Sequence, residues 1–349
     1  MTDLLADHTT LRVGGPARRW VVADTERLLV DTIRACDAAG EPVLILGGGS
    51  NLVVGDAGFD GTVVQVATKG IDTTGGSCSL DGPSCGGRIA VVAAGEGWDD
   101  FVSFAIDSEW IGVEALSGIP GLVGATPIQN VGAYGQEVAQ TITSVRTFDR
   151  QTGHQVTFDH GRCGFGYRHS RFKAEPGRYV VLDVTFQFRE GDLGAPIRYG
   201  ELARRLGVEG TQRVRSAQIR QAVLDLRRGK GMVLDVADHD TWSAGSFFTN
   251  PILEPADAAR LPEAAPRYPA PGERIKTSAA WLIENAGYGK GYGVPPATLS
   301  TKHSLALTNR GGARAADIIA LAREIREGVA ERFGVTLVPE PVLVGCALD

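Results

Sequence analysis

Between Leu116 and Val138 the chain reads LSGIPGLVGATPIQNVGAYGQEV, with five glycines and two prolines. Neither a helix nor a strand of ordinary length fits that spacing. Each proline removes a main-chain donor, and each glycine removes a side chain that would pack. A loop this long without regular structure is uncommon in a compact domain unless it binds something. Shorter clusters recur at 14–15, 47–49 and 287–293, and the chain holds 46 glycines in 349 residues. Glycine lets main chain approach a ligand closely. Several such loops in one chain point to a large ligand wrapped by backbone.

The segments between these loops follow regular patterns. Residues 19–23 and 42–46 are short apolar runs that predict strands. Between them a helix is expected, capped by Asp24 or Thr25, with Leu29, Ile33 and Cys36 on one face and Gly40 closing it. This is a βαβ-like unit over roughly the first 70 residues. Strands are expected at 62–66, 88–95, 143–148 and 179–188, and a helix over 98–108 with Trp98, Phe101, Val102 and Ala105 on one side. The turn-rich stretch 73–87 reads as a surface hairpin. Helices are predicted at 215–228, where Ile219, Val223 and Leu226 form a stripe, from Ser278 to Ala286, and at 313–333. Residues 304–309 and the C-terminal run from 335 read as strands, and the Pro/Ala-rich segment 254–272 as an exposed excursion.

Composition narrows the functional classes. The formal charge is −6 with no basic block, which disfavours nucleic acid as a partner. No apolar run long enough to span a bilayer occurs, so no membrane association is expected. The five cysteines are odd in number and form no C-x-x-C pair, and the six histidines lack ligand spacing. No metal site is expected, and a reducing cytoplasm suits the chain.

Two loops carry candidate chemistry. LGGGSN, comprising Leu46, Gly47, Gly48, Gly49, Ser50 and Asn51, has Leu52 where a dinucleotide fingerprint needs its third glycine, and strand-like residues follow. It is either a phosphate-holding nest of N–H groups or an ordinary tight turn. The 116–138 loop offers exposed main chain and the small polar groups of Ser117, Thr126, Gln129 and Asn130. An isoalloxazine edge and a pyrophosphate both require such donors and acceptors.

The string SGIPGLVGATPIQNVGAYGQE, together with LRVGGPA at 11–17 and LGGGSN, resembles the UDP-N-acetylenolpyruvoylglucosamine reductase (MurB) family. CGFGYRHSRFK (163–173), AGSFFTNP (244–251), KTSAAWLIE (276–284) and VPEP (338–341) extend the resemblance over nearly the whole chain. It implies an α+β chain: a two-part FAD-binding fold of the vanillyl-alcohol-oxidase/PCMH-like kind, plus a C-terminal α+β substrate-binding domain. The expected seams are 1–68 for the first FAD-binding subdomain, joined by the strand 338–349, then 69–214 for the second and 215–337 for the substrate domain. It implies non-covalent FAD, since no histidine sits where it would bond the flavin, and NADPH as co-substrate. The expected substrate is UDP-N-acetylglucosamine enolpyruvate.

By the same resemblance, FAD meets Leu46 to Asn51 and Ser117, Gly118, Ile119, Pro120, Gly124, Thr126, Pro127, Gln129, Asn130, Gly132, Ala133 and Tyr134. Arg168 and Glu340 support the substrate carboxylate as charge builds on it, and Ser246 gives the proton. An ionised Glu340 would repel that charge, so Glu340 is expected to help only if protonated or by donating through a water. Tyr199 is expected to cover the substrate phosphate, Lys230 to meet the diphosphate or the nicotinamide nucleotide, Asn250 and Lys276 the uridine or diphosphate end, and Tyr167 to pack beside Arg168. Thr249 stands where relatives often carry lysine, and Leu343 where some carry arginine. Two other readings stand beside this one. An alcohol or sugar-lactone oxidase of the same superfamily would keep the FAD loops without the Arg168, Ser246 and Glu340 set. A nucleotide-sugar binding protein would tolerate loss of Ser246.

Overall fold

From Ala17 the chain runs strand, helix, strand, as its apolar pattern predicts. The computed structural model describes residues 3–73, 87–209 and 212–349. It divides into two compact units, one made of 18–48 and 61–228, the other of 1–17, 49–60 and 229–349. The expected hairpin at 73–87, with Cys78 and Cys85, falls almost wholly outside the described residues.

In the first of these units the helix Glu26–Ala38 begins at Thr25, whose hydroxyl accepts the Leu28 N–H at 3.3 Å. It buries Leu29, Val30, Ile33 and Cys36. The strands Ala17–Ala23, Phe59–Val66 and Val43–Leu46 lie in that order, the last two parallel with Val43 opposite Thr62. A larger antiparallel sheet follows the order His154–Asp159, Ile142–Asp149, Tyr179–Glu190, Gly87–Ala93, Ile71–Asp72, and Trp110–Ile111 joins the end of Tyr179–Glu190. The helix Trp98–Asp107 packs an aromatic cluster against this sheet. Phe101 lies 5.0 Å from Phe186 and 6.0 Å from Phe188, and Trp98 6.2 Å from Phe186. Each of these side chains is buried, and removing one from water contributes about 1.5–3 kcal/mol. The helix Ser216–Gly229 closes a smaller cluster with Ile197, Leu202, Ile219 and Val223.

The other unit is built from short strands around one long helix. Leu52–Val54 pairs in parallel with Val342–Val344, and Ala297–Leu299 sits between Gly293–Val294 and Leu307–Asn309. The expected strand 304–309 is thus only Leu307–Asn309, and the C-terminal run keeps only Val342–Val344. The helix Ala315–Phe333 buries Ile318, Leu321, Ala322, Ile325 and Val329. Its first N–H groups, from Ala315 and Ala316, are capped by the Asp56 carboxylate at 2.8 and 3.1 Å.

The segment 254–272 is mostly exposed, as its composition suggests, but three apolar side chains anchor it. Ala258, Leu261 and Ala265 are buried in this unit's core. Arg267 holds the segment by donating to the carbonyls of Ala258, Leu261, Glu263 and Ala265. Tyr268–Pro269 then pairs with Ile275–Lys276, which pairs with Ile252–Leu253.

Gly328, inside the long helix, faces the Tyr288 ring. A Cβ there would lie 2.0 Å from Tyr288 Oη and 2.7 Å from two ring carbons. Glycine to alanine in a helix interior ordinarily stabilises by about 0.5–1 kcal/mol. Here Tyr288 would have to leave both the Glu324 carbonyl it donates to and its edge contact with Tyr292. Gly328→Ala is therefore expected to destabilise by about 1–3 kcal/mol in thermal or urea unfolding. In a Tyr288→Ala background the same change is expected to stabilise, because only the helix preference remains.

Among the described residues, no helix is long and apolar enough to cross a membrane, and no three His, Cys, Asp or Glu side chains gather as a metal ion would need.

Candidate active site

In the unit of 18–48 and 61–228, two glycine-bearing strips of main chain meet. The strand Val43–Leu46 ends in Gly47 and Gly48, and a Cβ on Gly48 would sit 2.8 Å from the Gly121 Cα. That space admits only two bare backbones. The Gly118–Gly124 strip is held from below. Gly118 N–H donates to Asp99 Oδ1 at 2.6 Å, the Gly121 carbonyl accepts Trp98 N–H, and Val123 and Gly124 donate to Glu96 and Ala94 carbonyls. Ile119 packs on the core and Pro120 continues the strip.

The small polar side chains here bond inward. Ser117 Oγ donates to the Glu114 carbonyl and Thr126 Oγ1 to the Val123 carbonyl. Pro127 opens the one-turn helix Thr126–Gln129. Asn130 ends it in the left-handed region, donates to Glu137 and to the Gly166 carbonyl, and accepts the Ala139 N–H. The Ser117 and Thr126 hydroxyl protons and the Asn130 amide are thus committed within the fold.

Gly132–Ala133 and Gln136–Glu137 form a hairpin whose two turn residues, Tyr134 and Gly135, have φ of 48° and 85°. Two successive positive φ values are the signature of a primed turn, which glycine and asparagine usually occupy. Here the first is a tyrosine. Its ring meets Tyr199 edge-on at 5.4 Å, and burial pushes its hydroxyl up to about 12. Burial likewise lowers the Arg227 guanidinium on the neighbouring helix end, partly offset by Tyr134 and Asp99. Tyr199 is itself exposed.

Arg168 occupies a comparable turn. Gly166 and His169 exchange main-chain hydrogen bonds at 3.0 and 3.2 Å, with Tyr167 and Arg168 between them. Arg168 has φ of 50°, which costs an L-residue about 1–2 kcal/mol. Its Nη2 donates to the Gly132 carbonyl at 2.8 Å, and its guanidinium carbon lies 5.6 Å from the Tyr167 ring centre. Lys173 ties the turn down, reaching the Arg168 carbonyl and Gln129 Oε1. Strained backbone of this kind, fixed by several neighbours, is a mark of functional sites.

In the other unit, Ser246 and Glu340 lie on hydrogen-bonded segments. Glu340 N–H donates to the Phe247 carbonyl at 2.8 Å, Thr249 N–H to the Val338 carbonyl, and Phe248 bridges Pro339. Phe247 and Phe248 are buried with their rings edge-on at 5.1 Å, which anchors both sides of the half-buried Ser246. Gly245 enters Ser246 with φ of 73°, a conformation that glycine adopts without strain. Asn51 joins the group: its Nδ2 donates to the Glu340 carbonyl at 3.4 Å, and its own carbonyl accepts Val342 N–H. The Gly49–Asn51 half of the glycine loop is thus beside Glu340, with Gly49 packed on the His8 and Thr9 main chain. The strand Leu52–Val54 follows directly on Asn51. The loop therefore opens no helix, as the absent third glycine of a dinucleotide fingerprint already implies.

Asn250 is bound inward by one end, its Oδ1 accepting Ala279 N–H. Lys276, half-buried, is on the strand Ile275–Lys276 opposite Ile252. Lys230, half-buried, follows the helix Ser216–Gly229. Asp99 and Arg220, which share two hydrogen bonds at 2.6 and 3.0 Å beneath Gly118, are the supporting pair that sequence reasoning missed. An acid in the first turn of a helix looks like an ordinary end charge.

The chain is 60% identical over 347 residues to the UDP-N-acetylenolpyruvoylglucosamine reductase of Cutibacterium acnes, covering 99% of this chain and 90% of that protein. The chain belongs to the UDP-N-acetylenolpyruvoylglucosamine reductase (MurB) family. The reductase of Streptomyces coelicolor is 55% identical, over 99% of this chain and 90% of that protein. Residues 17–159 match an FAD binding domain and residues 237–344 the reductase's C-terminal domain. The crystal structure of the MurB reductase from Thermus caldophilus is similar at a TM-score of 0.66 and 26% identity, covering 99% of this chain and 98% of that one. The mixed α+β architecture is that of the MurB family, an FAD-binding domain with the reductase C-terminal domain.

Proposed function

We propose that the chain reduces UDP-N-acetylglucosamine enolpyruvate to UDP-N-acetylmuramate, with NADPH as electron donor, non-covalent FAD as carrier and Ser246 as proton donor. The coarser activity, a flavoprotein reductase of peptidoglycan precursor synthesis (a UDP-N-acetylmuramate dehydrogenase), follows from the family. The observation that carries the finer reading is the Glu340–Phe247 hydrogen bond, which sets an acid and an alcohol on adjoining segments.

The close packing of Gly48 on Gly121 brings two stretches of bare main chain together, and exposed N–H groups on such main chain suit a flat ring and a pyrophosphate. In this reading Leu46 to Asn51 and Ser117 to Tyr134 hold FAD through backbone groups. FAD held there would supply a hydride carrier between NADPH and the enolpyruvyl double bond. Arg168 grips the substrate carboxylate, where negative charge grows as an enediolate. Glu340 supports the same developing charge from the adjoining segment. Ser246 Oγ–H then protonates the adjacent carbon. Tyr199, Lys230, Asn250 and Lys276 take the diphosphate and uridine end.

Anaerobic mixing tests this. NADPH should bleach the yellow enzyme, and the enolpyruvyl sugar nucleotide should restore the colour. Rapid recovery with oxygen and none with the sugar nucleotide would instead favour the oxidase reading.

The Asp99 support makes a further expectation. Burial alone would raise its carboxyl, but the hydrogen bonds from Arg220 and the Gly118 N–H hold it below the ordinary range. A lowered carboxyl stabilises the folded state above its unfolded pKa, and that support is lost as pH falls through the lowered folded value. Flavin retention, read from released flavin fluorescence, should therefore persist through neutral pH and fail only at the acid end. Asp99→Asn should weaken retention roughly tenfold at neutral pH, the scale of one charge-assisted hydrogen bond.

A further inference from the structure

Ser246 sits in a short span between two anchors. On one side the Phe247 N–H donates to the Leu305 carbonyl at 2.7 Å. On the other, the Ser243 carbonyl accepts the Thr10 hydroxyl at 2.7 Å, across 233 positions of sequence. Within the span, Gly245 takes its left-handed conformation with its N–H donating to Ser243 Oγ at 3.2 Å. Thr10 and Ser243 are buried, at 8% and 5% exposure, so water cannot replace a bond lost between them without penetrating the core. Asn309 N–H fixes the preceding carbonyl, that of Trp242.

Thr10 has a second bond. Its N–H donates to the Gly49 carbonyl at 3.1 Å. The hydrogen bonds therefore form a circuit: Gly49 to Thr10, Thr10 to Ser243, then along the Ser246 span to Phe247, from the Phe247 carbonyl to Glu340, and from the Glu340 carbonyl back to Asn51. The N-terminal motif LRVGGPA, which supplies no catalytic group, directly follows Thr10.

We propose that Thr10 is a positioning residue for the reduction, joining the glycine loop at Gly49 to the Ser246 span so that the alcohol keeps a fixed place relative to that loop and to Glu340. This rests on the reading of Ser246 as proton donor. Thr10 touches neither substrate nor proton. Its hydroxyl fixes the carbonyl three residues before Ser246, and a donor displaced by a fraction of an ångström transfers its proton more slowly. Hydride loading from NADPH does not use Ser246, so it should be indifferent to the change.

Thr10→Val removes the hydroxyl and keeps the shape. In rapid mixing of the holoenzyme, bleaching by NADPH should keep its native rate. Recovery with the enolpyruvyl sugar nucleotide should slow roughly ten- to a hundredfold. The solvent deuterium isotope effect on recovery should rise as proton transfer becomes limiting, while KM for the nucleotide stays near native. Thr10→Ser should restore the rate. Thr10→Ala, which removes the same donor to the Ser243 carbonyl, should show the same split and serves if Thr10→Val does not fold. Equal loss in both half-reactions, or a lower Tm with both rates intact, would overturn the proposal. The control Ser246→Ala separates the two ideas. If it recovers at native rate, the proton-donor reading fails. If it fails to recover while Thr10→Val recovers normally, only the positioning role is lost.

Discussion

Ser246→Ala should be bleached by NADPH at the native rate and then recover with the enolpyruvyl sugar nucleotide about 10²- to 10⁴-fold more slowly, the usual range for a positioned proton donor. A serine hydroxyl is a weak acid in water, but an enediolate is a strong base, and the transfer needs only a short path. Without the hydroxyl the carbon would have to take its proton from solvent, a slower donor than a positioned group. The substitution should leave the fold almost untouched. The span is held by main-chain bonds at Ser243, Phe247 and Glu340, none of which uses the Ser246 side chain. Thermal stability should therefore change by less than about 0.5 kcal/mol, as at most sites away from packing and caps. Rapid mixing with NADPH, followed by substrate, reads both half-reactions on one sample. Native recovery would remove Ser246 from the chemistry.

The legible parts of the chain are those whose information is local. Leu29, Ile33 and Cys36 recur at helical spacing between a threonine cap and a glycine, and the helix Glu26–Ala38 follows. The apolar stripe from Ile318 to Val329 specifies the helix Ala315–Phe333. Its true cap does not show in the sequence, because Asp56 comes from 259 positions away. The strands of two and three residues around it are too short for any period to register. Residues 254–272 are mostly exposed, as alanine and proline suggest, but the anchoring of Ala258, Leu261 and Ala265 by a fold that Arg267 ties together carries no local signal. The glycine loops are visible as composition, since a bare backbone surface is a local property. Arg168, Ser246 and Glu340 are reached only through resemblance to a family. Thr10 and Asp99 are not reached at all, because each acts on a main-chain atom remote in sequence and nothing in its neighbours marks it.

Arg168→Lys should lower kcat by about 10²- to 10³-fold, the usual cost of one aimed group at developing charge. The positive charge survives, so loss of charge is not the cause. The guanidinium already gives Nη2 to the Gly132 carbonyl and lies against the Tyr167 ring, which fixes its plane. A guanidinium so oriented meets a carboxylate as a planar fork. A lysine ammonium is a point on a flexible stem and cannot hold the carbonyl and grip two carboxylate oxygens together. The ground-state carboxylate needs the fork less than the enediolate does, so KM for the sugar nucleotide should move only a few-fold. Bleaching by NADPH should stay near native. A rise in KM with kcat unchanged would mean that Arg168 serves binding alone. The backbone argues against that outcome: φ of 50° at a non-glycine residue costs stability that Gly or Asn would return. Strain of this kind, held by the Gly132, Tyr167 and Lys173 contacts, fits a working group at the end of that turn.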